Sequence, residues 1–243
     1  MKKFFRKTIA FFIASATIFF STSLGALSFS SSTHEYTTLK GIEIYKKNFK
    51  NSFDSLYDQN FESQLKIYCT KPDDDENEGA YKYHFYNPAT GKNFNGEDES
   101  ALKRFIDHYN NAVSLYKSGN KFKSYEELAR SLHFLEDMNT PVHTNNQSFL
   151  DSAFDSLFHM SFEKKCVEVQ SQAVSNLTPR EFKYYKNNDI EQIGKASAIL
   201  ANDNFYAVYK KVLKKDTVAI KSVENAQKAV AGIIFKFGLD IQK

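Results

Sequence analysis

At 243 residues, with six histidines, two cysteines and no tryptophan, the chain is long enough for one well-buried domain and too short for two plus linkers. Its formal charge of +3 belongs to the first residues: Lys2, Lys3, Arg6 and Lys7 lie in a segment without carboxylates, and beyond Ser28 the remaining 28 basic side chains face 29 acidic ones. That balance excludes a nucleic-acid footprint built on net charge, so no nucleic-acid partner is expected, and two cysteines exclude a disulfide scaffold.

The amino terminus has the layout of a secretory signal peptide. A basic start is followed by an apolar run from Thr8 to Phe20, too short to span a bilayer comfortably, and by the small-residue stretch Ser21 to Ser30. Cleavage fits after Ser28, where Ala26-Leu27-Ser28 is small-x-small, or after Ala26. No cysteine follows the run to carry a lipid anchor. Residues 1–28 are therefore expected to be removed, leaving a secreted domain over 29–243.

The rest reads as helical. Leu39, Ile42, Ile44, Tyr45, Phe49 and Phe53 recur at three- and four-residue steps and predict a first long helix running to about Tyr57. Residues 71–99 differ in kind: Lys71-Pro-Asp-Asp-Asp-Glu-Asn-Glu-Gly and Asn87-Pro-Ala-Thr-Gly are turn-forming, with the aromatic island Tyr81 to Tyr86 between them. So long a loop inside a domain is usually functional or disordered, and the aromatic island argues for an ordered one. Helical spacing resumes from Ala101 to Tyr116, Gly119 breaks it, and Ser124 with Glu127 looks like a capping box for a helix that Pro141 ends. Further helices are expected over 154–169, briefly after Pro179, and over 189–212 and 215–240. The expected architecture is all-α, a single-domain multi-helix bundle with one elaborated loop.

The histidines carry the chemistry. His133 and Asp137 stand four apart on a strongly helical stretch, which places them on one face; His159 and Glu163 repeat the step on the next helix, and His143 lies in the turn after Pro141. One such pair is ordinarily a solvated helix pair. Two pairs with a histidine between them match what zinc requires, imidazole nitrogen and carboxylate oxygen converging from neighbouring helices of a bundle. Neither pair lies in an HExxH motif, so a zincin-type protease is not indicated.

At these residues the sequence resembles the zinc-dependent phospholipases C, a family sharing a superfamily with the S1/P1 nucleases. Ser131 to Asn146 is similar to that family's H-x3-D-x5-H segment, with Pro141 ahead of the second histidine, and His159-Met-Ser-Phe-Glu163 to its following H-x3-E. His84-Phe-Tyr-Asn-Pro resembles its HF[YW]-[DN]-P segment, and Thr33-His34 its amino-terminal ligand. The resemblance runs in order along the whole mature chain and leaves only His108, which reads as exposed beside Asp107.

The resemblance implies three zinc ions. One would take His84, His133, Asp137 and a loop aspartate, Asp73 by its distance to His84, with Asp74 and Asp75 as alternatives. A second would take His34, the shared Asp137, and the amino nitrogen and carbonyl oxygen of the mature first residue. The family begins with Trp there, and Phe29 would stand in its place. A third would take His143, His159 and Glu163. It further implies a phosphatidylcholine-like substrate, split by a zinc-bound hydroxide into diacylglycerol and a phosphorylated head group, with Asp73 and Asp137 catalytic and Tyr81 against the head group. A monomer touching membranes transiently is expected. The chain ends at Lys243, so the carboxy-terminal membrane-docking domain of larger relatives is not expected. Two rivals remain: an S1/P1-type nuclease, against which Glu163 and the HFYNP segment count, and a secreted zinc-binding protein without turnover. Cys69 and Cys166 flank the site region, and a bridge between them would staple it.

Overall fold

A computed structural model of the chain describes residues 30–75, 80–145 and 153–243; the proposed leader and Phe29 lie outside them. The described residues form helices α1 (Ser31–Leu56), α2 (Phe61–Tyr68), α3 (Pro72–Asp75), α4 (Ala101–Lys117), α5 (Lys121–Asp137), α6 (Ala153–Val169), α7 (Pro179–Asn187), α8 (Ile190–Asn202), α9 (Phe205–Tyr209) and α10 (Lys215–Asp240). Short 3-10 turns cover Ala80–His84, Pro141–His143 and Gln170–Gln172. The architecture is all-α, and the sole extended pairing among these residues is one bridge between Asn87 and Lys92. No helix among them is long and apolar enough to cross a membrane.

Helix α5 is the axis of the bundle. From Leu128 to Asp137 all but Arg130 are buried, whichever way they point, because α1, α2, α4 and α10 surround it. Its buried polar residues therefore need partners inside the protein. Ser131 donates to the Phe105 carbonyl of α4 at 3.0 Å, and Ser124 to the Ala112 carbonyl at 2.7 Å. Ser124 is thus a tether inside the helix, and the capping box expected there does not form. The helix is capped four residues earlier, where the Asn120 side chain accepts from the Lys123 amide. Gly119 makes that start possible, since its φ of +88° turns the chain at no steric cost.

Helix α1 begins eight residues before its apolar periodicity does, so His34 lies within its first turn, and Phe49 (φ −140°, ψ 43°) kinks it. It crosses α10 at Gly41, where an added Cβ would fall 2.3 Å from the Val230 side chain. The second half of α1 buries Tyr45, Phe53 and Tyr57 against Phe61, Tyr125 and Phe237 in the main core. A second apolar cluster joins α6 to α9 and α10 through Phe162, Cys166, Val208 and Val223.

The helix expected over 189–212 is two helices. Apolar spacing persists across Asp203-Asn204, but the chain turns there and restarts as α9. The two cysteines are both free and buried, each in a different cluster, so no staple is present. Within the described part of the long loop, side chains hold residues 82–99. The Asn93 carboxamide accepts from the amides of Asn95 and Glu97 and donates to the Glu99 carbonyl, while Lys82 pairs with Glu97 at 2.8 Å.

Candidate metal centre

Three structural pieces meet beside the carboxy-terminal half of α5. α1 brings His34, the loop brings Asp73 and His84, and α5 continues through the Pro141 turn to His143. α6 then closes the arrangement with His159 and Glu163. The Tyr86 amide donates to the His143 carbonyl at 2.9 Å, which ties the loop to the turn. Phe85 lies over both His143 and His159, with ring centroids 4.9 and 5.6 Å away. His34, His133, Asp137 and His143 are fully buried, and His84, His159 and Glu163 nearly so.

Ligand-bearing atoms converge in three groups whose members lie within 4.8 Å of one another: His34, His133 and Asp137; Asp73, His84 and His133; and His143, His159 and Glu163. His133 Nε2 is 3.1 Å from His84 Nδ1, 3.4 Å from Asp137 Oδ2 and 3.5 Å from Asp73 Oδ1. His84 Nδ1 is 2.8 Å from Asp137 Oδ2. In the third group His143 Nε2, His159 Nε2 and Glu163 Oε1 lie 2.9 to 3.2 Å apart. Asp137 joins the groups: its Oδ1 is 3.6 Å from His34 Nε2 and 3.0 Å from His143 Nδ1.

The tautomers follow from what backs each ring. His133 Nδ1 is 2.8 Å from the Cys69 carbonyl oxygen, which can only accept, so Nδ1 donates. Burial and the neighbouring His34 push the His133 imidazolium down to about 3, so the ring is neutral and Nε2 turns a lone pair to its group. Burial likewise pushes His159 down to about 4. His34 behaves oppositely. Burial opposes its charge, yet Asp137 and Glu136 outweigh that and raise it to about 10.

Glu136 was not among the residues picked out from the sequence, yet it backs the site. Its Oε2 accepts from His34 Nδ1 at 2.5 Å and its Oε1 from the Thr38 hydroxyl at 2.7 Å, all fully buried. A carboxylate behind a histidine fixes the ring's orientation and raises its basicity as a ligand. The signal was present in the sequence: two adjacent carboxylates, Glu136 and Asp137, end an otherwise apolar helical run, and adjacent residues on a helix point to different neighbours.

The donor set fits a borderline-soft divalent ion such as zinc. Each group combines imidazole nitrogen with carboxylate oxygen, the chemistry zinc selects. Asp137 Oδ1 and His143 Nδ1 face each other without hydrogen-bond alignment, and both are buried with no hydrogen-bond partner. Buried polar atoms are rarely left so unless an ion or water belongs between them.

The loop aspartates separate by geometry. Asp73 reaches the second group with 16 % of its side chain exposed, whereas Asp74 is 65 % exposed and pairs with Lys71 at 3.2 Å. The Asp75 side chain, like Phe29, lies outside what is described. Tyr81 is partly exposed on the 3-10 turn that ends at His84. His108 is not exposed as expected. Its side chain is 13 % accessible, bonds to Glu127 at 2.8 Å and stacks on Phe134. A cleft of about 210 Å³ beside Tyr184, Tyr185, Leu200 and Lys228 is lined by none of the histidines.

The all-helical fold is similar to that of solved bacterial alpha toxins. The solved alpha toxin from Clostridium absonum superposes with a TM-score of 0.76 at 24% identity, over 87% of this chain and 64% of that one. Among curated proteins the chain is similar to the phospholipase C of Clostridium novyi, 26% identical over 238 residues, 83% of this chain and 54% of that protein. It is equally similar to that of Clostridium haemolyticum, 26% identical over 267 residues, 96% and 66%. No protein-family model matches. The resemblance to the phospholipases C therefore extends over most of this chain, while the chain spans between about half and two thirds of these relatives' length.

Proposed function

We propose that the chain is a secreted zinc-dependent phospholipase C, a phosphoric diester hydrolase that splits the glycerol-side phosphodiester of a phosphatidylcholine-like lipid into diacylglycerol and a phosphorylated head group. One observation carries the reading: five histidines distant in sequence converge with Asp73, Asp137 and Glu163 on one buried centre, in a chain whose relatives bear the name phospholipase C. In this reading the leader directs export, residues 29–243 form the catalytic domain, and the protein acts as a monomer.

Three zinc ions would be held: one by Asp73, His84, His133 and Asp137, one by His34, Asp137 and the amino-terminal Phe29, and one by His143, His159 and Glu163. Bound there, zinc supplies Lewis acidity toward phosphoryl oxygen and brings the pKa of water to about 7. The chain's own groups do the positioning. Asp137 offers both carboxylate oxygens to different histidine groups and so fixes the spacing between them. The Cys69 carbonyl and Glu136 hold the His133 and His34 rings by their outward nitrogens. Asp73 is the most exposed of the grouped carboxylates, which suits it to orient the attacking water and accept its proton. Phe85 covers one side of His143 and His159 and keeps solvent from it. Tyr81 offers its ring to the head-group cation, a contact worth about 0.5–2 kcal/mol.

The test is hydrolysis by the purified protein of phosphatidylcholine and of single-stranded DNA, each with and without chelator. Chelator-sensitive release of diacylglycerol with DNA left intact is the expected result. Cleavage of DNA alone would establish the nuclease, and metal uptake with no turnover of either would leave a zinc-binding protein.

A further inference from the structure

The turn between α9 and α10 reads Lys210-Lys211-Val212-Leu213-Lys214-Lys215. Val212 is 76 % exposed and Leu213 42 %, and Leu157 on α6 and Tyr206 on α9 are 64 % and 55 % exposed. The backbone beneath them is well bonded. The amides of Val212 and Leu213 both donate to the Ala207 carbonyl, at 2.8 and 3.0 Å, and the Lys211 amide donates to Val208. Lys211 holds a left-handed conformation (φ 60°), alone among the described non-glycine residues. This is a Schellman-type helix end, in which the residue after the left-handed one ordinarily packs back on the helix. Here that residue is Val212, and it stands in solvent.

Charge says what would cover it. Lys210, Lys211 and Lys214 are exposed and make no ion pair. Lys210 lies over the Tyr206 ring, and Lys215 bonds to Ser161 and lies over Phe158. The acidic groups around the turn are already engaged. Asp216 pairs with Lys165, Glu168 with Lys165, and Asp155 accepts from Tyr209. An ordered apolar tip set among unpaired ammonium groups fits the boundary of an anionic bilayer, where apolar side chains enter the acyl region and lysines meet phosphates. Helix α9, which leads into the turn, packs on α6, since Phe158 contacts Phe205 and Tyr209, and Phe158 precedes His159.

We infer that the 210–215 turn is a docking element for an anionic phospholipid surface, set one helix away from the histidine cluster. It deepens the phospholipase reading and rests on it for choosing lipid over an acidic protein as partner.

The absence of tryptophan makes the test direct. In Leu213→Trp the new indole is the chain's only one, and its emission is expected to shift to the blue on phosphatidylcholine vesicles doped with phosphatidylglycerol, but not on pure phosphatidylcholine. Val174→Trp, at a position 83 % exposed but outside the turn, is expected to show no shift. Adding Lys210→Glu, Lys211→Glu and Lys214→Glu to Leu213→Trp should weaken binding at least about tenfold. The same charge reversal in the parent chain should leave hydrolysis of a monomeric short-chain phosphatidylcholine unchanged. No blue shift at position 213, an equal shift at 174, or binding of polyglutamate in place of vesicles would overturn the proposal. Failure of the parent chain to cleave the monomeric lipid would count against the phospholipase reading instead, whatever the vesicles show.

Discussion

Asp137 is the residue on which the centre turns. It is fully buried and meets imidazoles of His34, His84, His133 and His143. Burial alone would keep it protonated, but the imidazoles gathered around it, His143 foremost, hold it well below the usual carboxylate range. Burial raises Glu163 to about 8 and Glu136 to about 7, so neighbouring carboxyls in one cluster have opposite tendencies. Glu136 acts through His34 and is a positioning residue. Glu136→Gln keeps the shape and removes the charge behind the ring. Zinc affinity at the His34 group is expected to fall about 10–100-fold, with hydrolysis falling alongside. Metal content per chain, read together with kcat, checks this. Full zinc occupancy in the variant with unchanged turnover would show that the short bond to His34 serves packing alone.

At the level of elements, the centre depends on how α1 is seated. His34 reaches the cluster because α1 lies close on α10 at Gly41, one to two helical turns beyond it. A methyl group there meets Val230 at 2.3 Å, and the neighbour is a branched core side chain rather than the end of a flexible one. Gly41→Ala is therefore expected to lower stability by about 1–3 kcal/mol, despite alanine's better helix propensity. Chemical denaturation measures the change. A more stable variant would mean that α1 and α10 move apart freely, and the position of His34 would then need another cause. The element boundaries also show where patterns mislead. Apolar spacing in α1 starts at Leu39, yet the helix begins at Ser31, because its first turns bury polar residues, Thr33, His34, Thr37 and Thr38, of which His34 and Thr38 bond to Glu136.

For the molecule as a whole, the centre is a concentration of buried imidazoles and carboxylates placed where core would otherwise be. Such groups stabilise a fold when an ion occupies them and strain it when they are left to each other. Chelation is expected to lower the melting temperature as well as abolish hydrolysis, with zinc restoring both. Acid should do the same: burial keeps the His133 and His159 imidazoles neutral down to about 3 and about 4, whereas in the unfolded chain they protonate from about 6.5, so stability is expected to fall progressively as the pH drops below about 6.5. Calorimetry with and without chelator, repeated from neutral pH downward, follows this. A melting temperature indifferent to chelator at neutral pH would show that the cluster holds itself together without metal.

Sequence spacing alone placed His133 with Asp137 and His159 with Glu163, because a helix turns a four-residue step into a shared face whatever surrounds it. It also gave the all-helical class, through apolar periodicity that the core now explains. Tertiary structure decided the rest. Glu136 backs His34 across 102 residues of chain, the Cys69 carbonyl sets the His133 tautomer across 64, and Asp73 rather than Asp74 turns inward. None of these has a period or a motif. Each is a meeting of two elements, and only packing determines which side chains meet.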